Sequence, residues 1–370
     1  MQIKRPVAIF LATKAFTWLT FILITFMLYI FRARAIPFGS MLADSLECWD
    51  SAHYRAIIEH GYDLSWRMVF FPLYPLAVKA MTFLIKDTLW AGVAVSNSCL
   101  LAATVYFYNL ADKNYGKKIA SMSVMLFMCA PTALFYITSY TESMFFMLTI
   151  MGFYYINEKN WFAAVFFGML SAATRNAGIL IMIPFVVGYY GAYKDFKKEF
   201  YKLPLYLLAI FSGLAAYMFY SKHIHNDYIA FLHGQSQWYK GGRISFIPFL
   251  AYLKSLKNFT VELQLKVTDT RVNMSFIYMT VTLLLLYFGR KLLKLNEAAY
   301  AFFIVLFFSI INSSESIARY LSAVYPLWVL FALWIAKQKK EKLVFGIVLA
   351  YMMTWQAYMN FRWVMNFWVN

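Results

Sequence analysis

The chain predicts an all-α polytopic membrane protein, and three observations carry that expectation. Hydrophobic residues make up 62% of the 370 and charged ones 14%, and mean hydropathy is +0.59, far more apolar than a soluble domain. The apolar runs are continuous and of bilayer-spanning length, not alternating in two-residue steps as barrel strands would be. The basic excess, 34 Lys and Arg against 17 Asp and Glu for a net +17, sits mostly in short clusters between those runs. Membrane topology and anionic headgroups select such clusters, which argues against nucleic acid as a partner.

The first run, residues 7–31, follows Lys4-Arg5 and lacks a small-residue cleavage site, so it reads as a retained helix rather than a signal peptide. A polar island follows, Cys48-Trp49-Asp50-Ser51-Ala52-His53-Tyr54 through Glu59-His60-Gly61-Tyr62, and it opens a first loop over 48–88. Within that loop, 70–86 is short, carries Lys79 and two prolines, and reads as a segment lying along or dipping into the membrane. Spans follow at 89–111, 118–138 and 141–156. The stretch 161–193 is too long for one straight crossing and is interrupted at Thr174-Arg175-Asn176-Ala177-Gly178. After a span at 203–221 comes the second sizeable extramembrane segment, 221–272, with Lys222-His223-Ile224-His225-Asn226-Asp227-Tyr228, His233, the turn Lys240-Gly241-Gly242-Arg243 and an amphipathic stretch. In that stretch Leu250, Leu253 and Leu256 oppose Lys254 and Lys257, a pattern that lies in the interface. The last spans are 274–289, 297–312, 317–336 and 343–361. With no repeat, low-complexity tract or soluble linker, 1–370 reads as a single membrane domain.

Charge then orders the topology. If 70–86 does not cross and 161–193 crosses twice, one side receives Lys4-Arg5, Lys113/Lys117/Lys118, Lys159, Lys194/Lys197/Lys198/Lys202, Arg290/Lys291/Lys294 and Lys337/Lys339/Lys340/Lys342. The positive-inside rule makes that side cytoplasmic. About eleven crossings result, with the N-terminus inside and the C-terminus outside. The outer face collects the island, Ser139-Tyr140-Thr141-Glu142-Ser143, the Arg175 break, 221–272, and Ser313-Ser314-Glu315-Ser316 with Arg319-Tyr320. Each half of 161–193 is shorter than the usual ~17 residues, so the break must sit in a protein-lined or watery cavity.

Several polar residues are candidates for chemistry. Asp50 or Ser51 can cap a short helix that Gly61 ends in the left-handed conformation. On it Asp50, His53 or Tyr54, Ile57 and His60 share a face, so an acid and imidazoles look the same way; equally, Asp50 is a plain cap and the histidines interfacial groups. Asp50, His53 and His60 could bind a metal, but no second cluster with ligand spacing supports one. His223 and His225 point apart on a helix and read as a solvated pair. Cys48, Cys99 and Cys129 show neither metal nor disulfide spacing. Glu142, Arg175, Glu315 and Arg319 lie at or within apolar spans, where ionisable groups face polar cavities. Arg175 is either a structural tie to the carbonyls of its broken helix or to Glu142, or an anion clamp that offers phosphate a planar fork. Glu315 and Arg319 have the spacing of an intrahelical ion pair, which still leaves Arg319-Tyr320 able to present a donor.

These segments carry a resemblance. Trp49-Asp50-Ser51-Ala52-His53-Tyr54 through Glu59-His60-Gly61-Tyr62, then Phe70-Phe71-Pro72-Leu73-Tyr74-Pro75-Leu76, resembles the signature of the PIG-V mannosyltransferases and their bacterial relatives. Tyr140-Thr141-Glu142-Ser143-Met144-Phe145, Ala173-Thr174-Arg175-Asn176-Ala177-Gly178-Ile179-Leu180, and Arg319-Tyr320-Leu321 through Tyr325-Pro326-Leu327 resemble later blocks of that family, in order. The chain is shorter than eukaryotic members, and its Lys-, Asn- and aromatic-rich make-up suits an AT-rich bacterium.

The resemblance implies a GT-C-like bundle and an inverting transferase. It would move a hexose, expected to be mannose, from a polyprenyl-phosphate sugar to a lipid-linked or envelope glycan at the outer face of a bacterial plasma membrane. Asp50 is the implied general base, with a cap position keeping it ready to accept a proton. Cations beside the leaving phosphate stabilise its charge: Arg175 and Arg319 first, His60 and Lys222 behind them. His53, Glu142 and Tyr320 complete the candidate substrate contacts, and Trp49, Tyr54, Tyr62 and Trp238 can stack on sugars or anchor at the interface. No cofactor or metal is expected. The alternative is a transporter or flippase of lipid-linked sugars with Arg175, Glu142 and Glu315 along its path. Such proteins show broken helices in corresponding halves, whereas here the clear break lies in one half only.

Overall fold

In hydrocarbon every backbone N–H and C=O must be satisfied within the segment, so apolar runs of this length have to be helical. The computed structural model describes residues 1–31, 36–193, 199–235, 253, 270–310 and 316–367, and among them every regular element is a helix, with no strand. Glu315, Trp238, Lys194, Lys197, Lys198, the 240–243 turn and nearly all of the 250–257 stretch lie outside the described residues. The helices are α1 (Lys4–Phe31), α2 (Phe38–Leu46), α3 (Asp50–His60), α4 (Leu73–Met81), α5 (Thr88–Tyr115), α6 (Lys117–Met128), α7 (Glu142–Asn157) and α8 (Trp161–Thr174). They continue as α9 (Met182–Ala192), α10 (Lys202–His225), α11 (Ala230–His233), α12 (Thr270–Gly289), α13 (Leu295–Ile310), α14 (Ile317–Ser322), α15 (Tyr325–Ala336) and α16 (Glu341–Val364). Helices α1, α5 and α10 are long and apolar enough to cross a membrane singly; α8, α13, α15 and the 176–192 stretch are shorter apolar helices.

Two expected straight spans are broken. The 118–138 run is α6 followed by a 3-10 segment, Pro131–Tyr136, and the 317–336 run divides into α14 and α15 around Ala323-Val324. Pro131 and Pro326 account for both: Pro131 holds Ala130 extended (ψ 147°) and starts the 3-10 segment, while Pro326, the second residue of α15, has no N–H with which to continue a helix from α14. The break at Arg175 falls where the sequence puts it. The ambiguous 70–86 stretch resolves into α4, nine residues long and therefore about 13 Å, too short to cross. It buries Tyr74 and Val78 and leaves Leu76, Phe83 and Leu84 exposed.

The lysine-rich turns gather at one end of the bundle, as the charge pattern predicts. Lys113 pairs with Glu158 at 2.5 Å and Lys118 with Glu341. Lys294 reaches Asn114 at 2.7 Å and Asn157 at 2.8 Å, while Asn114 and Tyr115 hold the buried Glu297. The backbone N–H of Gln2 donates to Asn109 at 2.6 Å, bringing the start of α1 to the same end. The opposite end holds the island and the polar turns.

Helices α8 and α10 meet backbone to backbone. A Cβ on Gly213 would lie 2.0 Å from the Met169 carbonyl oxygen, so only glycine permits this approach. Gly213→Ile is expected to force the two helices apart at a cost of ~1–3 kcal/mol or more and to lower the melting temperature in detergent. Gly346→Ala on α16, with nothing within 4 Å of the new Cβ, is the control and leaves melting at or above that of the native chain. Equal melting of the two variants would contradict the close α8–α10 packing.

Candidate active site

The island forms α3 largely as expected, but its start is built differently. Trp49 takes the cap position at φ 50°, and no side chain caps the helix. The first turn is closed by backbone alone, with Ser51 N–H donating to Cys48 O and Ala52 N–H to Trp49 O. Asp50 is the first helical residue rather than the cap, and its carboxylate turns away to an arginine. Gly61 ends α3 at φ 78°, ψ −165°, a positive φ but not the left-handed helical conformation expected.

Four charged side chains from four separate places then alternate in sign. Arg319 on α14 donates from Nη1 to Asp50 Oδ2 at 2.7 Å. Its Nε lies 3.1 Å from Glu142 Oε1, a distance for charge attraction, though the N–H is not aligned as a hydrogen bond. Arg175 donates from Nη1 to the same Glu142 Oε1 at 2.6 Å. Glu142 is the first residue of α7 and Asp50 the first of α3, so both acids sit where a helix N-terminus favours negative charge. Two positive and two negative groups sum to zero. Their side-chain exposures differ: Glu142 2%, Arg319 7%, Asp50 14% and Arg175 18%.

Backbone irregularity makes this convergence possible. Arg175 is extended (φ −155°, ψ 151°) between α8 and the 3-10 segment Asn176–Ile181. Gly178 N–H donates to Arg175 O at 2.9 Å, and a Cβ there would sit 2.0 Å from Ser171 O, so the turn that aims Arg175 requires glycine. Aromatic rings floor the charges. The Arg319 guanidinium lies 5.3 Å from the Phe135 ring and 5.5 Å from Tyr140, and Tyr320 is shared, 5.2 Å from Arg319 and 4.8 Å from Arg175. Tyr320 itself stacks on Phe308 at 5.0 Å. Thr141 Oγ1 accepts from Tyr54 at 3.3 Å and faces Arg175 Nη1 at 3.4 Å.

Several expected site residues are placed elsewhere. His60 lies at the far end of α3, ten residues from Asp50 and thus about 15 Å along the helix, and is exposed where Tyr54 and Ile57 are buried, so the expected grouping with Asp50 is not made. Ile57, between them, is buried. Lys222 is engaged locally, with Asn226 O at 3.3 Å and the Tyr228 ring at 5.4 Å, away from the charged chain. Trp49 packs edge-on against Trp363 at 4.9 Å, and Trp363 donates to Ser45 O at 2.6 Å, so this indole ties α2 and α16 to the island. His53 stays beside Asp50, half-buried, 5.1 Å from Trp66 and 5.4 Å from Phe70. Its burial pulls the imidazole below its ordinary pKa, with Asp50 opposing and Arg67 reinforcing that shift. Glu315, the i, i+4 neighbour expected to pair with Arg319, lies outside the described residues. Asp50, His53 and His60 do not converge, and among the described residues no three His, Cys, Asp or Glu side chains form a metal-binding group. Sequence reading missed the floor of Phe135 and Tyr140 and the wall of Trp66 and Phe70. The one signal available was their position in or beside the polar turns.

Comparison with known proteins places this geometry. The family model described as Mannosyltransferase (PIG-V) matches residues 37–242, which contain Asp50, His53, Glu142 and Arg175. GPI alpha-1,6-mannosyltransferase 2 of Rattus norvegicus is 28% identical over 167 residues, covering 40% of this chain and 33% of the relative. The Homo sapiens protein of that name is 26% identical over 152 residues, covering 38% and 30%. GPI mannosyltransferase 2 of Schizosaccharomyces pombe is 23% identical over 146 residues, covering 37% and 30%. The matched region thus spans about a third of these curated relatives. Since the family model takes in more than half of the chain, including the first acid and its neighbours, the chain belongs to the Mannosyltransferase (PIG-V) family.

Proposed function

We propose that the protein is an inverting glycosyltransferase that moves a hexose, mannose, from a polyprenyl-phosphate sugar to a lipid-linked or envelope glycan. The observation that carries this reading is the alternating chain Asp50–Arg319–Glu142–Arg175. The names of the matched relatives, GPI mannosyltransferases, support the sugar.

The acceptor hydroxyl attacks the anomeric carbon, the bond from that carbon to the donor phosphate oxygen breaks, and the phosphate leaves with the electron pair. The hydroxyl proton passes to Asp50, whose Oδ2 is held by Arg319 while Oδ1 takes the proton. Charge is conserved inside the site: the four groups sum to zero before reaction, and protonating Asp50 leaves +1 as the phosphate gains −1. Arg175 and Arg319 stand beside that change with further N–H donors for the phosphate. Glu142 holds both guanidiniums side by side. Under this reading arginines, not a divalent metal or other cofactor, meet the phosphate charge. We assign the lipid portion a place as well. An apolar cavity of about 220 Å³, lined by Pro131, Tyr278, Leu321, Trp328 and Trp355 among others, adjoins α14. Pro131 begins the 3-10 segment that also carries Phe135 beneath Arg319.

Sidedness rests on charge. The lysine-rich end is taken as cytoplasmic, which puts about eleven crossings between it and the Asp50 end on the extracytoplasmic side of a bacterial plasma membrane, in one membrane domain over 1–370.

Asp50→Asn is expected to lower transfer from a polyprenyl-phosphate mannose donor by about 10²–10⁴-fold in purified protein while donor binding persists; full activity in that variant would overturn the mechanism. Arg175→Lys keeps the charge but loses the fork, so it should raise KM for the donor more than it lowers kcat. An unchanged KM would remove Arg175 from phosphate recognition. Chelation with EDTA should leave initial rates unaltered, and loss of activity restored by a divalent cation would refute the arginine-only account.

A further inference from the structure

Outside the site, and unlike the hydrogen-bonded Glu297, one buried basic side chain stands without a hydrogen-bond partner among the described residues. Lys14 lies on α1, ten residues and about 15 Å from Lys4, and is 4% exposed. Among the described residues its Nζ has no hydrogen-bond partner. An unpaired ammonium in an apolar span is costly and marks a place where an anion is wanted. Lys14 lines a cavity of about 630 Å³ between α1 and the start of α5, whose other walls include Phe10, Trp18, Ile85, Trp90 and Asn97. The cavity is apolar apart from Lys14 and Asn97. The Asn97 amide nitrogen donates to Val93 O at 2.8 Å and Ile137 O at 2.9 Å, which leaves its carbonyl oxygen as a second polar atom at the wall. Leu11 and Trp90, exposed on the rim, face the position of membrane lipid.

We propose that this cavity binds one lipid phosphate, with Lys14 as its counter-ion and its hydrocarbon chain along Phe10, Trp18 and Trp90. An amphiphile meets both demands of the wall: an anion for the ammonium, and apolar surface for the aromatic rings. The cavity shares no residue with the Asp50 chain, so the proposal stands apart from the transferase reading. Lipid phosphate has two sources, membrane phospholipid and polyprenyl phosphate, and the test separates them.

Delipidated protein is titrated separately with phosphatidylglycerol, phosphatidylcholine and a C55 polyprenyl phosphate, and retained lipid is counted by native mass spectrometry. The native chain and Lys14→Arg should retain one anionic lipid at least about tenfold more tightly than Lys14→Met, a difference of one decade in Kd. Phosphatidylcholine should bind all three alike. Retention of phosphatidylglycerol marks a phospholipid site, and selective retention of polyprenyl phosphate marks a carrier site. Removing a buried unpaired charge does not destabilise, so Lys14→Met should melt at or above the native temperature; if it fails to fold, Lys14→Gln serves in its place. Equal anionic retention in the native and Met or Gln chains, or no preference over phosphatidylcholine in the native chain, overturns the proposal.

Discussion

The bond between Arg319 and Asp50, 269 residues apart in sequence, is the interaction on which the rest of this end of the bundle depends. A buried guanidinium cannot stay unpaired in a low-dielectric interior, and breaking one partner of such a pair is far more costly than never having made it. Once Arg319 is placed at 7% side-chain exposure, the start of α3, the start of α7 and the α8 break must come to it. Glu142 and Arg175 extend the same requirement across the bundle. The irregular backbone at 131–136, 176–181 and 323–324 serves that pairing, because straight helices would carry these side chains past one another. Such backbone is tolerated at membrane depth only where protein surrounds it, and here Phe135, Tyr140, Phe145 and Tyr320 supply the surround.

What was legible in the sequence follows the range of each physical signal. Span positions were readable because hydrocarbon forces helix wherever the run is apolar, and loop grouping because lysine clusters mark one end; Lys113, Lys118 and Lys294 meet there through their partners. The Arg175 break was readable because Asn176-Ala177-Gly178 interrupts an apolar run locally. Long-range pairing was not. Helical spacing reports only near neighbours such as Glu315, which lies outside the described residues, and is silent on the partners Arg319 takes from α3 and α7. Periodicity also groups His60 with Asp50 without reporting its height. Asp50 or Ser51 was read as the cap since short polar residues favour that position, yet Asp50 turns to the full positive charge of Arg319, and Trp49 assumes the cap by backbone alone.

Aromatic residues were the least legible. Interface anchoring explains most Trp and Tyr in membrane chains, so sequence offers no reason to single out Tyr140 or Tyr320. In the folded chain their rings lie within 5.5 Å of guanidinium carbons, and Tyr320 is beside both arginines. The electrostatic pull of a ring face on a cation is worth ~0.5–2 kcal/mol when water is excluded. That is modest beside an ion pair, but it also fixes the plane of each guanidinium and so the direction of its remaining donors.

The proposed mechanism needs one of the two acids as a base, and their surroundings differ. Asp50 and Glu142 have similar electrostatic settings: each begins a helix, and each faces Arg319. Glu142 adds a second arginine and is sealed at 2% exposure, while Asp50 has one arginine partner in the chain and 14% exposure. A hydroxyl group has to reach a base before it can lose a proton to it. Under the proposed mechanism access divides the roles: Glu142 sets the spacing of the guanidiniums from inside the protein, and Asp50, the more exposed acid of the same chain, is the carboxylate proposed to meet the acceptor.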